Sequence, residues 1–224
     1  MATSERCPMW ARSHKTQNYQ VISKQKNIRN FAALIFISGL FAHSASAEGN
    51  VERGEILAYT CLGCHGIDGY RNAYPSYRVP RLGDQKASYL IIALRGYRDG
   101  NRAHPTMSAQ AASLSDQDIE DTAAYLATLG ADTVAAGGES GASFEPARTC
   151  VACHGQNGIS LSPGWPTLAG QHEDYLEHAL NQYRDGSRKD PVMSPLVAEM
   201  SDETVSQLAA YFANLEGLET SEVE

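Results

Sequence analysis

Cys61-Leu62-Gly63-Cys64-His65-Gly66 returns 89 residues later as Cys150-Val151-Ala152-Cys153-His154-Gly155, and this repetition decides how the rest of the chain is organised. Further along, the shift becomes 86 and then holds. Pro80-x-Leu82 matches Pro166-x-Leu168, Gln85 matches Gln171, and Tyr89-Leu90 matches Tyr175-Leu176. Tyr97-Arg98-Asp99-Gly100 matches Tyr183-Arg184-Asp185-Gly186, with Arg102 answering Arg188. Pro105-x-Met107-Ser108 matches Pro191-x-Met193-Ser194, and Ser115-Asp116 with Ala123-Ala124-Tyr125 matches Ser201-Asp202 with Ala209-Ala210-Tyr211. So many identities in one register mark a duplicated unit. The change of shift falls between His65 and Pro80, and its extra length is assigned to the second copy. Gly130 to Ser143 is rich in Gly, Ala and Ser and reads as a connector. The units are therefore 48–130 and 144–224, with a linker over 131–143.

Each copy reads as helical, and no alternating strand pattern of any length occurs. One helix leads into the Cys motif, over Glu52–Thr60 in the first copy and Phe144–Thr149 in the second. Another starts near Ala87 or Glu173 and ends before an Asp-Gly. The last begins at Ser115 or Ser201, N-cap residues followed by acids that suit a positive helix end. Its core face carries Ile119, Ala123, Leu126 and Leu129 in one copy and Val205, Leu208, Phe212 and Leu215 in the other. A unit of about 85 residues is near the lower limit for a self-sufficient core, so a staple is expected.

Residues 1–47 stand apart. Lys24, Lys26 and Arg29 precede an apolar run from Phe31 to Phe41, and Ala45-Ser46-Ala47 follows, the three parts of a secretory signal peptide. The run is too short to span a bilayer, so cleavage and export to the periplasm are expected, with no membrane span afterwards. The stretch before Lys24 is long for a signal, which places the true start further in. From Glu48 onward there are 12 Lys and Arg against 25 Asp and Glu. That acidic balance excludes a nucleic-acid footprint. Residues 48–138 hold 8 basic and 11 acidic side chains and 139–224 hold 4 and 14. The asymmetry either orients the molecule towards a charged partner or serves solubility alone.

Cys-x-x-Cys-His is the attachment signal for c-type haem. Cys61 and Cys64, like Cys150 and Cys153, can each form a thioether with a haem vinyl group, and His65 or His154 is then held over the iron. A covalently anchored haem supplies the missing staple. A thioredoxin-type pair wants a βαβ context that is not visible. A zinc site does not need the downstream Pro and Met, and a disulfide leaves both histidines without a role. Met107 and Met193 occupy equivalent places and are two of only three methionines after residue 47. Both are read as sixth ligands of iron, while Met200, which aligns with Leu114, is read as core. His104, His172 and His178 have no histidine counterpart and read as surface residues. Arg98, Arg184, Arg102 and Arg188 either neutralise haem propionates or are solvated.

Together the two Cys-x-x-Cys-His-Gly motifs, the Pro-x-Leu segments, the Tyr-Arg-Asp-Gly turns and the Met ahead of an Ala-Ala-Tyr helix resemble class I cytochromes c, specifically the dihaem cytochrome c4 family. The resemblance implies an all-α fold of two tandem cytochrome domains, pseudo-twofold related, each wrapped around one covalent haem. It implies that Pro80 and Pro166 offer carbonyls to the ring N–H of His65 and His154. It also implies an electron carrier, not an enzyme and without catalytic residues, working between redox protein partners such as a donor and a terminal membrane oxidase. A similar fold serves as the dihaem subunit of a flavoprotein sulfide dehydrogenase, which is the alternative. A peroxidase or gas sensor would need an open iron position, against which the matched methionines stand. The Tyr- and Arg-rich loop from Tyr70 to Val79 departs from the family pattern; it is either a partner interface or a plain loop.

Overall fold

The computed structural model describes residues 49–130 and 144–220. The expected signal peptide, the linker and the chain end from 221 lie outside the described residues. Eight α-helices are described: α1 (Val51–His65), α2 (Ala87–Arg98), α3 (Pro105–Ala112), α4 (Asp116–Leu126), α5 (Arg148–His154), α6 (Glu173–Asp185), α7 (Met193–Val197) and α8 (Asp202–Ala213). A 3₁₀ turn, Glu145–Ala147, leads into α5. No strand occurs among the described residues, only the isolated bridges Arg71–Arg78 and Arg102–Arg188. None of the described helices is long and apolar enough to cross a membrane.

The two copies follow the same plan. In the first, Ala58 of α1, Leu90 of α2 and Ala123 and Leu126 of α4 form the core. In the second, Val151, Leu176, Leu208, Ala209 and Phe212 do so, and Met200 packs on them as expected. Helix α4 starts where the sequence indicated. The Ser115 hydroxyl accepts from the Asp118 N–H, and the Asp118 carboxylate accepts from the Ser115 N–H, a reciprocal capping box. Ser201 caps α8 from one side only, its hydroxyl accepting from the Thr204 N–H at 3.1 Å.

Two sequence readings need correction. First, α1 and α5 run through the whole Cys motif and end at the histidines. Second, the extra loop length lies in the first copy: His65 to Pro80 spans 15 residues and His154 to Pro166 spans 12. A shift that falls from 89 to 86 means three residues fewer in the second copy.

The seam between the copies is built from like residues bonded crosswise. Gln85 donates to the Thr167 carbonyl at 3.0 Å and accepts from its N–H at 2.9 Å. Gln171 donates to the Arg81 carbonyl at 3.0 Å and accepts from its N–H at 2.9 Å. The Ala103 N–H reaches the Ser187 carbonyl at 2.9 Å, and the Lys189 N–H reaches the Asn101 carbonyl at 2.7 Å. Thr167 stands 86 after Arg81 and Ser187 stands 86 after Asn101, so each of these pairs has its mirror; the Arg78 N–H to Asp174 carboxylate bond at 3.2 Å and the Tyr77–His178 stack cross the seam without one.

Candidate functional site

One continuous cavity of about 1240 Å³ runs through both copies and across the seam. Cys61, Cys64, His65 and Met107 line its first half, and Cys150, Cys153, His154 and Met193 line its second. All eight sequence-read site residues thus line the one cavity. No disulfide joins the four cysteines, which leaves each sulfur available for thioether attachment. Burial pushes the Cys61 and Cys150 thiols up.

Each histidine ends its helix with one nitrogen already committed. His65 Nδ1 lies 2.8 Å from the Pro80 carbonyl and His154 Nδ1 2.8 Å from the Pro166 carbonyl. A carbonyl only accepts, so each Nδ1 carries the proton and each Nε2 is left as the lone-pair nitrogen. Burial holds both imidazoles below their ordinary pKa, and a neutral ring is what a metal ligand must be.

The methionines sit on α3 and α7, helices that the periodicity did not announce. Pro105 opens α3, and His104 Nδ1 accepts from the Met107 N–H at 3.2 Å. In α7, the Asp190 carboxylate accepts from the Met193 N–H at 2.8 Å. His104 and Asp190 are equivalent in the 86-residue register, so two unlike residues perform one task. The reading of His104, His172 and His178 as surface residues is corrected. His172 is buried, and burial together with Arg81 and Arg78 lowers it to about 4. His178 stacks on Tyr77 at 4.0 Å between ring centroids, and His104 meets Tyr77 edge-on at 6.4 Å.

The four arginines divide into two pairs. Arg98 bonds the Asp116 carboxylate at 2.7 Å and the Leu114 carbonyl at 3.3 Å. Arg184 repeats this with Asp202 at 2.5 Å and the Met200 carbonyl at 2.8 Å. Both tie the second helix of a copy to the start of its last and do not enter the cavity. Arg102 and Arg188 are buried and line the cavity at the seam. Arg188 donates to the Tyr89 hydroxyl at 2.7 Å and Arg102 to the Tyr175 hydroxyl at 3.1 Å, each crossing to the other copy. Each guanidinium also lies 4.4 Å over a ring of its own copy, Tyr97 or Tyr183. Burial alone would raise Tyr89, but the charges of Arg188 and Arg102 outweigh it and leave the phenol below its ordinary range.

These residues fit haem. Among the described residues neither buried guanidinium has a carboxylate within ion-pair distance. The Thr122 and Thr167 hydroxyls, both lining the cavity, are buried with no hydrogen-bond partner. Buried charge and orphaned hydroxyls call for a polar, anionic partner, and haem carries two carboxylates. Conversely, no group of three or more His, Cys, Asp and Glu side chains among the described residues is arranged to hold a metal, so the zinc reading finds no ligand set. The sequence signal for the seam residues was their identity at equal spacing, Gln85 with Gln171 and Tyr89 with Tyr175; their crosswise bonding was not foreseen.

Comparison with known proteins agrees. The Cytochrome c family model matches residues 51–130 and 139–216. The thiosulfate dehydrogenase electron acceptor of Stutzerimonas stutzeri is 37% identical over 181 residues, 74% of this chain and 83% of that protein. Cytochrome c4 of Azotobacter vinelandii is 36% identical, covering 80% and 93%. The crystal structure of reduced recombinant cytochrome c4 from Pseudomonas stutzeri superposes with a TM-score of 0.59 at 28% identity, covering 75% of this chain and all of that one. A thiosulfate dehydrogenase structure from Marichromatium purpuratum gives 0.60 at 30% identity, covering 74% of this chain but 40% of that longer one. With two cytochrome c domains and two sites for covalent haem c, the chain belongs to the cytochrome c family, in its dihaem cytochrome c4 branch.

Proposed function

We propose that the chain is a periplasmic electron carrier, not an enzyme, with His65 and Met107 ligating one haem iron and His154 and Met193 the other. The observation that supports this most is the doubling: in each half a histidine fixed by a proline carbonyl shares a cavity with the matched methionine and the cysteine pair. When bound, each haem lets the chain hold or release one electron. The Pro80 and Pro166 carbonyls set the tautomer and increase the basicity of the rings. The Met107 and Met193 thioethers favour ferrous iron and raise the potential. A closed ligand pair leaves no position for substrate. Arg102 and Arg188 would hold haem carboxylates at the seam, and the Thr122 and Thr167 hydroxyls would find a polar partner within the cavity. Residues 1–47 are a cleaved signal, and 131–143 join domains at 48–130 and 144–224.

The donor we infer is a dehydrogenase of the thiosulfate-oxidising kind, as the name of the Stutzerimonas stutzeri relative suggests, and the acceptor a respiratory partner such as a terminal oxidase. In the Marichromatium purpuratum thiosulfate dehydrogenase the matching portion is 40% of one longer chain. A flavoprotein donor would use the same ligand set.

The test is the reduced visible spectrum of the two-haem protein with and without carbon monoxide. No spectral change is expected, because both irons are six-coordinate. Ready carbon monoxide binding at either haem would remove Met107 or Met193 as a firm ligand and bring the sensor or peroxidase reading forward.

A further inference from the structure

Tyr77, His104 and His178 have no like residue at the matching place in the other half, and the fold brings all three into one train of rings. Residues 70–79 form a small hairpin, in which the Val79 N–H reaches the Tyr70 carbonyl at 2.8 Å and the Asn72 N–H the Tyr77 carbonyl at 2.9 Å. Arg71 and Arg78 fix it across the seam on Asp174, at 3.0 and 3.5 Å. From this hairpin Tyr77 turns inward and is only 5% exposed. Its ring stacks on His178 of α6 at 4.0 Å and 20°, and meets His104 edge-on at 6.4 Å and 82°. Tyr97 adds a second edge contact to His104 at 6.3 Å. His104 Nδ1 then accepts from the Met107 N–H at 3.2 Å. Tyr77, His104 and Met107 all line the cavity; His178 does not. Counting back from the matched Pro80 and Pro166, Tyr77 falls opposite Pro163, while His178 falls opposite Ile92 and His104 opposite Asp190. Pro163 is exposed and Ile92 is 52% exposed, so no such train leads to Met193. There the Asp190 carboxylate works without rings, accepting from the Val192 and Met193 N–H groups at 2.9 and 2.8 Å.

We propose that Tyr77 and His178 are positioning residues for the sixth ligand of the first haem, acting through His104, so that the hold on Met107 depends on the second half of the chain. The proposal rests on the ligand reading above. The last torsion of a histidine is broad and nearly two-fold, so one hydrogen bond of 3.2 Å does not by itself fix the His104 ring. A carboxylate that accepts two N–H groups, as Asp190 does, needs no such help. The edge of Tyr77 supplies the missing restraint at His104. Tyr77 is placed in turn by the His178 stack, and its hairpin by Asp174, both on α6 of the other half. A thioether held on the iron favours the ferrous state and raises the potential. Removing the Tyr77 ring therefore loosens Met107 and lowers the potential of the first haem alone.

The experiment is a spectroelectrochemical titration of the two-haem protein, read together with the sulfur-to-iron charge-transfer band of its oxidised form. Met107→Ala marks which potential belongs to the first haem: it should lower one potential strongly and remove about half of the band, the share of one haem in two. Tyr77→Ala should shift the reduction equilibrium of that haem alone towards the ferric form by about threefold to tenfold, a tenfold change being about 59 mV for one electron. Tyr77→Phe, which keeps the ring, should restore the wild-type value. His178→Ala lies in the other half and should still shift the first haem in the same direction; it carries the test if Tyr77→Ala does not retain both haems. Tyr74→Ala, at the exposed tip of the same hairpin, should shift neither haem. Unchanged potentials in Tyr77→Ala and His178→Ala, an equal shift of both haems, or a shift confined to the second haem overturns the ring train and leaves Met107 as a ligand. Met107→Ala with both potentials and the band as in wild type overturns the ligand reading, and this inference with it.

Discussion

Gln85 meets the backbone of Thr167 with both ends of its amide, in a buried place where water cannot take over. Gln85→Leu would leave a buried N–H and a buried carbonyl unpaired. The expected loss is about 2 kcal/mol, seen as a drop in thermal midpoint of roughly 4–8 °C for a chain of this size. His172 makes a different case. It is buried, and its pKa is held near 4 against 6.5 for a free imidazole. Its folded form is therefore neutral. Stability is full above about 6.5 and is lost as pH falls from there towards 4, because only the unfolded chain takes up the proton in that window. Denaturant titrations at pH 7 and pH 4.5 should differ by roughly 2–3 kcal/mol from this group, and His172→Gln should remove that share of the difference. None of this was legible in the sequence. A histidine without a counterpart looks solvated until the Arg81 and Arg78 side chains are seen beside it.

Helices α1 and α4 approach closely because Gly54 lacks a side chain. A Cβ there would stand 2.0 Å from the Asp121 carbonyl oxygen and 2.8 Å from the Tyr125 Cβ. Gly54→Ala should push the pair apart and cost about 1–3 kcal/mol or more, measured by denaturant unfolding. Beside it, Asp121 is buried but accepts from the Asn50 N–H at 2.7 Å, from Gln117 at 2.8 Å and from Arg53. Asp118 is held to about 2, chiefly by the Ser115 hydroxyl and N–H and then by Arg53. A depressed carboxylate stabilises above its unfolded pKa and loses that contribution as pH falls through the folded value. Ser115→Ala should raise the Asp118 pKa in an NMR titration and weaken the cap by about 1 kcal/mol. Helices α4 and α8 were legible because serine caps and a 3.6-residue apolar face announce them. Helices α3 and α7 were not. They have 8 and 5 residues, with one buried residue each, Ala111 and Val197, too little for a period to show.

At the scale of the whole molecule, repetition made the two-domain plan, the haem sites and the helical class readable, because a doubled motif filters chance out of a single sequence. The way the halves meet was hidden. Identity at equal spacing says that two residues have the same task, not that each performs it on the other's unit. Arg188 to Tyr89 and Arg102 to Tyr175 show that they do. The first half, produced alone with its haem, would expose Gln85, Tyr89 and Arg102 together, and sedimentation is expected to show it pairing with itself. That expectation reaches back in time. A patch that binds its own copy through mirrored contacts is isologous, so a single ancestral domain carrying these residues was already suited to form a homodimer. Fusing two such genes would have turned a concentration-dependent dimer into a permanent one. Freed from self-complementarity elsewhere, the twin surfaces were then able to diverge, the second becoming the more acidic.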